Sequence, residues 1–262
     1  VVGIVTATDK WGGRGGKELL QSDVCRFAHT LQPAVPILQP EKLKNPDFIA
    51  ALQALNADLH VVVAFRMLPE IVWRMPRLGT INLHGSLLPQ YRGAAPINWA
   101  IINGERETGV TTFFLQHEID TGDLIAQERT AIGEDETFGE VYDRLKHIGA
   151  ALLSRTVQQI AAGSYSQQPQ DLSRVSHAPK IFHDTCRIDP VGKSAEQLHN
   201  FVRGLSPHPA AWLSVGGQVL KVYRTRLERL ADESAEPTPI GYLLADRKTQ
   251  RLALRARGGW LH

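Results

Sequence analysis

A strand that has to end in a polar turn constrains this 262-residue chain more than any other feature. Residues 79–96 read Gly-Thr-Ile-Asn-Leu-His-Gly-Ser-Leu-Leu-Pro-Gln-Tyr-Arg-Gly-Ala-Ala-Pro. Ile81 and Leu83 alternate with Asn82 and His84, the period of two that gives a strand one apolar and one polar face. Gly85 and Ser86 break the pattern, and Pro89 has no N–H to continue a ladder. Pro96 suits the first turn of a helix. An amide and an imidazole therefore stand side by side at the carboxyl end of a strand, where open α/β sheets place their ligands. Alone, the pair fits equally well a buried His and Asn that satisfy a turn. Residues 110–115, with two Thr and two Phe, read as another strand. It runs into His117-Glu118-Ile119-Asp120-Thr121-Gly122-Asp123, a polar turn. If the two strands are near neighbours, Asp120 meets His84. Asn, His and Asp together can donate to a developing oxyanion, hold an imidazole and move protons.

Composition narrows the class. The chain is 43% hydrophobic and 21% charged, with room for one large domain or two smaller ones. Two cysteines, Cys25 and Cys186, make neither a disulfide framework nor a zinc spacing, and a reducing compartment fits them. No apolar run reaches the ~20 residues of a spanning helix, so no membrane partner is expected. The net charge of +2 hides an asymmetry. Residues 1–179 hold 16 Lys and Arg against 19 Asp and Glu, whereas residues 180–262 hold 13 against 8. A basic second part suggests an anionic partner, although ordinary surface charge accommodates the same imbalance.

The remaining patterns follow the chain. Val1 to Ala7 has the look of a buried strand. Thr8 to Lys17 is a Gly-rich basic loop that fails the P-loop spacing, because Glu18 follows the Lys where Ser or Thr should stand. On composition it is a flexible surface loop. Ser22 caps a helix expected from Asp23 to Leu31, with Val24, Phe27, Ala28 and Leu31 on its inner face. Leu59 to Phe65 reads as a buried parallel strand, and Arg66-Met67-Leu68-Pro69 follows it, with Met67 and Leu68 suited to core packing. Thr137 caps a long helix from Phe138 to Ile160. A Ser/Gln/Pro-containing linker occupies 164–176. Short strand patterns at 211–215, 218–224, 240–244 and 252–256 suggest a small OB-type barrel, a common nucleic-acid platform.

Asn82-Leu83-His84-Gly85-Ser86-Leu87-Leu88-Pro89, then Arg92-Gly93, Ala95-Pro96 and Ile119-Asp120-Thr121-Gly122-Asp123, resemble the formyltransferases that use 10-formyltetrahydrofolate. Within them the resemblance is strongest to those acting on methionyl-tRNA, and it covers nearly the whole chain. It implies a Rossmann-like α/β catalytic domain over 1–163, the linker, and an OB-like tRNA-binding domain over 177–262. Against that family a strand and a helix are expected before Val1, and further strands after His262. The implied catalytic residues are Asn82, His84 and Asp120: the first two donate to the oxyanion, and Asp120 pairs with His84 and relays protons through a water. Ser86, Leu87, Leu88, Pro89, Arg66, Met67, Leu68 and Ile119 would line the folate site. Arg66 stands where Gly is usual, in a loop one residue shorter than the common pattern. Lys10, Arg14 and Lys17 would meet the tRNA acceptor end, with Trp11, where Pro is common, either stacking on a base or packing.

The implied co-substrate is 10-formyltetrahydrofolate, the partner is initiator Met-tRNA, no metal is needed, and a cytoplasmic monomer in a bacterium or organelle is expected. Three other readings compete. Formyl transfer to a sugar nucleotide shares the tail domain, whereas the purine-precursor enzyme lacks it. A metal-dependent hydrolase would use His84, His117, Glu118 and Asp120 as ligands, without a tight metal spacing. A non-enzymatic RNA-binding protein would keep these residues idle.

Overall fold

The computed structural model describes all residues except 13–14, 234–235, 247 and 249–250. The chain divides into two compact units, residues 1–82 and 83–262.

The first unit begins with β1 (Ile4–Val5), followed by β2 (Lys10–Gly12) and β3 (Glu18–Leu20). Then come α1 (Asp23–Ala28), β4 (Ile37–Leu38), α2 (Pro46–Ala54), β5 (His60–Val63), α3 (Glu70–Trp73) and the start of β6 (Thr80–His84). β1 and β4 pair in parallel, and β5 lies beside β6. Leu43, Phe48, Leu52 and Val72 form the core of this unit.

Several expectations are corrected here. The Gly-rich segment is framed by a hairpin, β2 pairing antiparallel with β3 from Lys10–Leu20 to Gly12–Glu18. The helix capped by Ser22 ends at Ala28, and it buries Cys25 and Ala28 while Val24 and Phe27 are exposed. β5 is covered on one face only, with Val61 and Val63 exposed. An all-apolar run has no alternation, so it cannot announce which face is covered. Val1 and Val2 are exposed, and the strand pattern there shortens to two residues.

β6 carries the chain into the second unit, where β8 (Glu107–Phe114) lies next to it and β9 (Leu124–Ala131) closes that edge, antiparallel to β8. Before β8 come β7 (Arg92–Gly93) and α4 (Pro96–Ile102), and after β9 comes α5 (Phe138–Ala161). Thr137 and Glu140 form a reciprocal capping box at the start of α5. The Glu140 carboxyl is pushed down to about 2, first by the Thr137 backbone N–H and then by Arg224. Val141, Leu145 and Leu152 of α5 pack with Ile101, Val110 and Tyr91 as the central core.

The chain continues through β10 (His177–Ala178), parallel to β7, and α6 (Ala195–Leu205). Leu198, Val202 and Leu205 of α6 are buried with Ile188, Ala211, Leu254 and Leu261 in a further core. The last strands are β11 (Ala211–Val215), β12 (Gln218–Val222), β13 (Leu227–Arg229), β14 (Leu243–Asp246), β15 (Arg251–Ala256) and β16 (Gly259–Leu261). Among the described residues they form a β11–β12 hairpin and a separate sheet in the order β13-β16-β15-β14. Among the described residues no barrel closes: β12 pairs with β11, and β13 with three residues of β16. Among the described residues no helix is long and apolar enough to cross a membrane.

Candidate active site

The site is built at the end of β6 and the turn that follows it. Asn82 and His84 project to one face of that strand because they stand two residues apart. The Oδ1 of Asn82 is buried and has no hydrogen-bond partner among the described residues. A buried orphan acceptor is unfavourable by roughly 1–3 kcal/mol, so the amide is poised for a donor that arrives with a ligand.

His84 is buried, and its two nitrogens face different groups. Nε2 lies 2.9 Å from the carbonyl oxygen of Tyr91. A carbonyl only accepts, so Nε2 carries the proton that it donates there. Nδ1 lies 3.6 Å from Oδ2 of Asp120. That separation is too long for a hydrogen bond and close enough for an ion pair. For Nε2 to donate to an oxyanion, its bond to Tyr91 has to be exchanged for one to substrate.

Asp120 is buried and held in the left-handed region, at φ 55. Its Oδ2 accepts from the Gly93 N–H at 2.8 Å. Gly93 is itself at φ 123, and a Cβ there would stand 2.7 Å from the Ala178 carbonyl oxygen, so the position requires glycine. The Gly93 side of this clamp is fixed in turn by β10: Arg92 N–H donates to Ser176 O and Ala94 N–H to Ala178 O.

Tyr91 is a site residue that sequence reasoning missed. Its backbone sits at φ 59, which aims the carbonyl at His84, and its N–H donates to Ser176 Oγ. The phenol is pushed up to about 12, chiefly by burial and then by its bond to Glu105, and so stays neutral. Gln170 was also missed. It is buried, and it donates to the carbonyls of Asp120 and Gly122. It lies in a Ser/Gln/Pro stretch that reads as linker, and nothing local marks it. A Tyr between a Pro-Gln and an Arg-Gly was the available signal for a strained turn.

The expected folate-site residues divide. Ser86, Leu87 and Leu88 are buried; Ser86 Oγ donates to Gln90 O, and Leu88 N–H donates to Thr111 Oγ1. Pro89 is buried beside them. Ile119 is exposed, and with Arg92, Gly93, His177, Ala178 and Pro179 it lines a cleft of about 410 Å³. In the first unit, Arg66 donates to the carbonyls of Pro40 and Glu41. Leu68 packs on the core there, but Met67 is 75% exposed and is no core residue. Lys10 and Lys17 are exposed on either side of the hairpin turn, Trp11 is exposed rather than packed, and Arg14 lies outside the described residues. His117 and Glu118 are exposed while His84 and Asp120 are buried. Among the described residues no three His, Cys, Asp or Glu side chains gather as a metal-binding group.

The chain matches the formyl transferase family over residues 1–157 and the formyl transferase C-terminal domain over residues 180–262. A methionyl-tRNA formyltransferase of Azobacteroides pseudotrichonymphae is 47% identical, across 100% of this chain and 82% of the relative. Another, from Bacteroides fragilis, is 55% identical across 81% of this chain and 65% of the relative. Among solved structures, HypX from Aquifex aeolicus in complex with tetrahydrofolic acid aligns with a TM-score of 0.65 at 19% identity, over 90% of this chain and 40% of HypX. The sugar 3N-formyl transferase WlaRD aligns with a TM-score of 0.64 at 16% identity, over 100% of this chain and 96% of WlaRD. At such identities these two structures speak for the fold alone.

Proposed function

Because this chain belongs to the methionyl-tRNA formyltransferase family, we propose that it transfers a formyl group from 10-formyltetrahydrofolate to the α-amino group of methionine on initiator tRNA. The reaction serves translation initiation. The observation that carries the reading is His84, in the Asn82–Ser86 motif, standing 3.6 Å from Asp120 of the Ile119–Asp123 turn. The choice of tRNA over a sugar nucleotide is supported by relatives named methionyl-tRNA formyltransferase at 44–55% identity, against 15–23% for the sugar N-formyltransferase structures.

In this reading the methionine amine attacks the formyl carbon, a C–N bond forms, and negative charge develops on the formyl oxygen. The Asn82 amide and the imidazole N–H of His84 stabilise that charge. The amine then loses a proton and N10 of the folate gains one as its bond to the formyl carbon breaks. Asp120 and His84 carry that proton through a water. Ser86–Pro89 and Ile119 are assigned to the folate, as, in the first unit, are Arg66–Leu68; Lys10, Arg14, Lys17 and the basic part after residue 177 are assigned to the tRNA.

The test offers labelled 10-formyltetrahydrofolate with Met-tRNA and with an amino-sugar nucleotide in parallel. Label on Met-tRNA alone is the expected result. Label on the sugar nucleotide alone overturns the substrate, and label on neither overturns the reaction.

A further inference from the structure

We propose that Gln170 is a positioning residue for the formyl transfer reaction, setting the conformation of Asp120 from within the segment that joins α5 to β10. The proposal rests on the reading of Asp120 given above.

Gln170 meets four partners, and their chemistry fixes which way its amide points. Its Oε1 accepts from Nε of Arg92 at 3.1 Å and from Nη2 at 2.7 Å. Its Nε2 donates to the Asp120 carbonyl at 2.9 Å and to the Gly122 carbonyl at 2.8 Å. A guanidinium only donates and a carbonyl only accepts, so turning the amide over would break all four bonds. Gln170 and Arg92 are both buried, and the Arg92 fork holds the amide like a stop.

The two carbonyls that Gln170 gathers bracket the turn at Asp120-Thr121-Gly122. Asp120 is in the left-handed region, which a residue with a side chain occupies only when its surroundings impose it. Gly93 N–H holds the carboxylate from one side, and Gln170 holds the backbone from the other. Together they decide where Oδ2 stands relative to His84 Nδ1.

The segment that carries Gln170 is anchored on both flanks. Gln168 exchanges backbone bonds with Leu124 at 2.8 and 3.0 Å, at the start of β9. Ser176 and Ala178 bond to β7. The stretch between the two anchors therefore cannot drift from the site, although its composition is that of a tether.

Two substitutions test this. Gln170→Glu keeps the shape and the Arg92 pairing but sets a carboxylate oxygen against two carbonyl oxygens. Gln170→Met keeps the volume and makes neither set of bonds. Both should lower kcat by about 100-fold, the scale of a displacement of about 1 Å at a reacting group. KM for folate and for Met-tRNA should stay within about a factor of two, since uniform binding is untouched. In an Asp120→Asn background the Gln170→Glu change should add little, because the two act through one group.

A normal kcat in either variant overturns the proposal. So does an equal loss in the Asp120→Asn background, or a failure of both variants to fold, since each makes Gln170 merely structural. A wild-type protein that moves no formyl group to Met-tRNA overturns the functional reading and this one with it.

Discussion

The turn after β6 and the hairpin of β2 and β3 are both short, glycine-containing and assigned to substrate, yet they are built in opposite ways. Around His84 and Asp120 the polar groups are buried, and the backbone is bent left-handed at Tyr91, Gly93 and Asp120. The hairpin exposes Lys10, Trp11, Lys17, Leu19 and Leu20. The difference fits the tasks proposed for them. Stabilising charge on one oxygen atom requires donors held in place, and a buried turn whose backbone is fixed by hydrogen bonds supplies that. Meeting a polyanion requires charge at the right reach, which exposed lysines supply without a fixed frame.

The contrast breaks most visibly at His84. His84→Ala should lower kcat by roughly 100- to 1000-fold, the loss of one oxyanion donor, with folate binding unchanged. Single-turnover formyl transfer measures it, and a near-normal rate would remove His84 from the chemistry. Asp120→Asn follows at about 100-fold, the lower end for a lost acid–base partner. Its side-chain oxygen can still accept from Gly93 N–H, so the fold should hold. If the variant unfolds at room temperature, Asp120 is a structural residue.

A matched pair of glycines sharpens the comparison further. Gly93 and Gly16 are both left-handed, at φ 123 and 67. A Cβ on Gly93 would press on the Ala178 carbonyl oxygen at 2.7 Å, whereas one on Gly16 meets nothing within 4 Å among the described residues. Gly93→Ala should therefore destabilise by about 1–3 kcal/mol. Gly16→Ala should carry only the backbone strain of its positive φ, about 1 kcal/mol, with no clash added. Urea midpoints of the two variants decide the point, and equal shifts would show that the turn is no more rigid than the hairpin.

The sequence reveals these two regions to different depths. The meeting of His84 with Asp120 was legible because alternation set the strand, Pro89 stopped it, and a long ordered motif supported both. The long α5 was legible from Thr137 and its 3.6-residue periodicity, and it ends within one residue of the expected end. Tyr91 and Gln170 were not legible, because both act through backbone carbonyls and nothing in a side-chain pattern reports where a carbonyl points. β9 went unread for a similar reason: its Gln, Glu, Arg and Thr residues mask the apolar alternation. Among the described residues the barrel expected after residue 177 is not closed, because strand patterns fix local extension but not which edges meet.

The smallest expected effect lies in the hairpin, at Lys17. Lys17 is exposed, and it stands next to the β3 strand that pairs with Trp11 and Lys10. Removing an exposed charge there should leave stability within about 0.5 kcal/mol of wild type. If Lys17 meets a phosphate, Lys17→Ala should weaken tRNA binding by less than about 1 kcal/mol, the range of exposed ion pairs. A change of that size is hard to assign from one titration, so the salt dependence is the better measurement. Each phosphate contact releases counterions, and losing one should reduce the slope of log affinity against log salt by about 1. His84→Ala, a change at a buried side chain, should leave that slope unchanged. Binding of Met-tRNA across a series of salt concentrations by wild type, Lys17→Ala and His84→Ala therefore separates the two regions by kind rather than by size. Equal slopes for all three would take Lys17 out of the tRNA interface and leave its exposure without a functional reason.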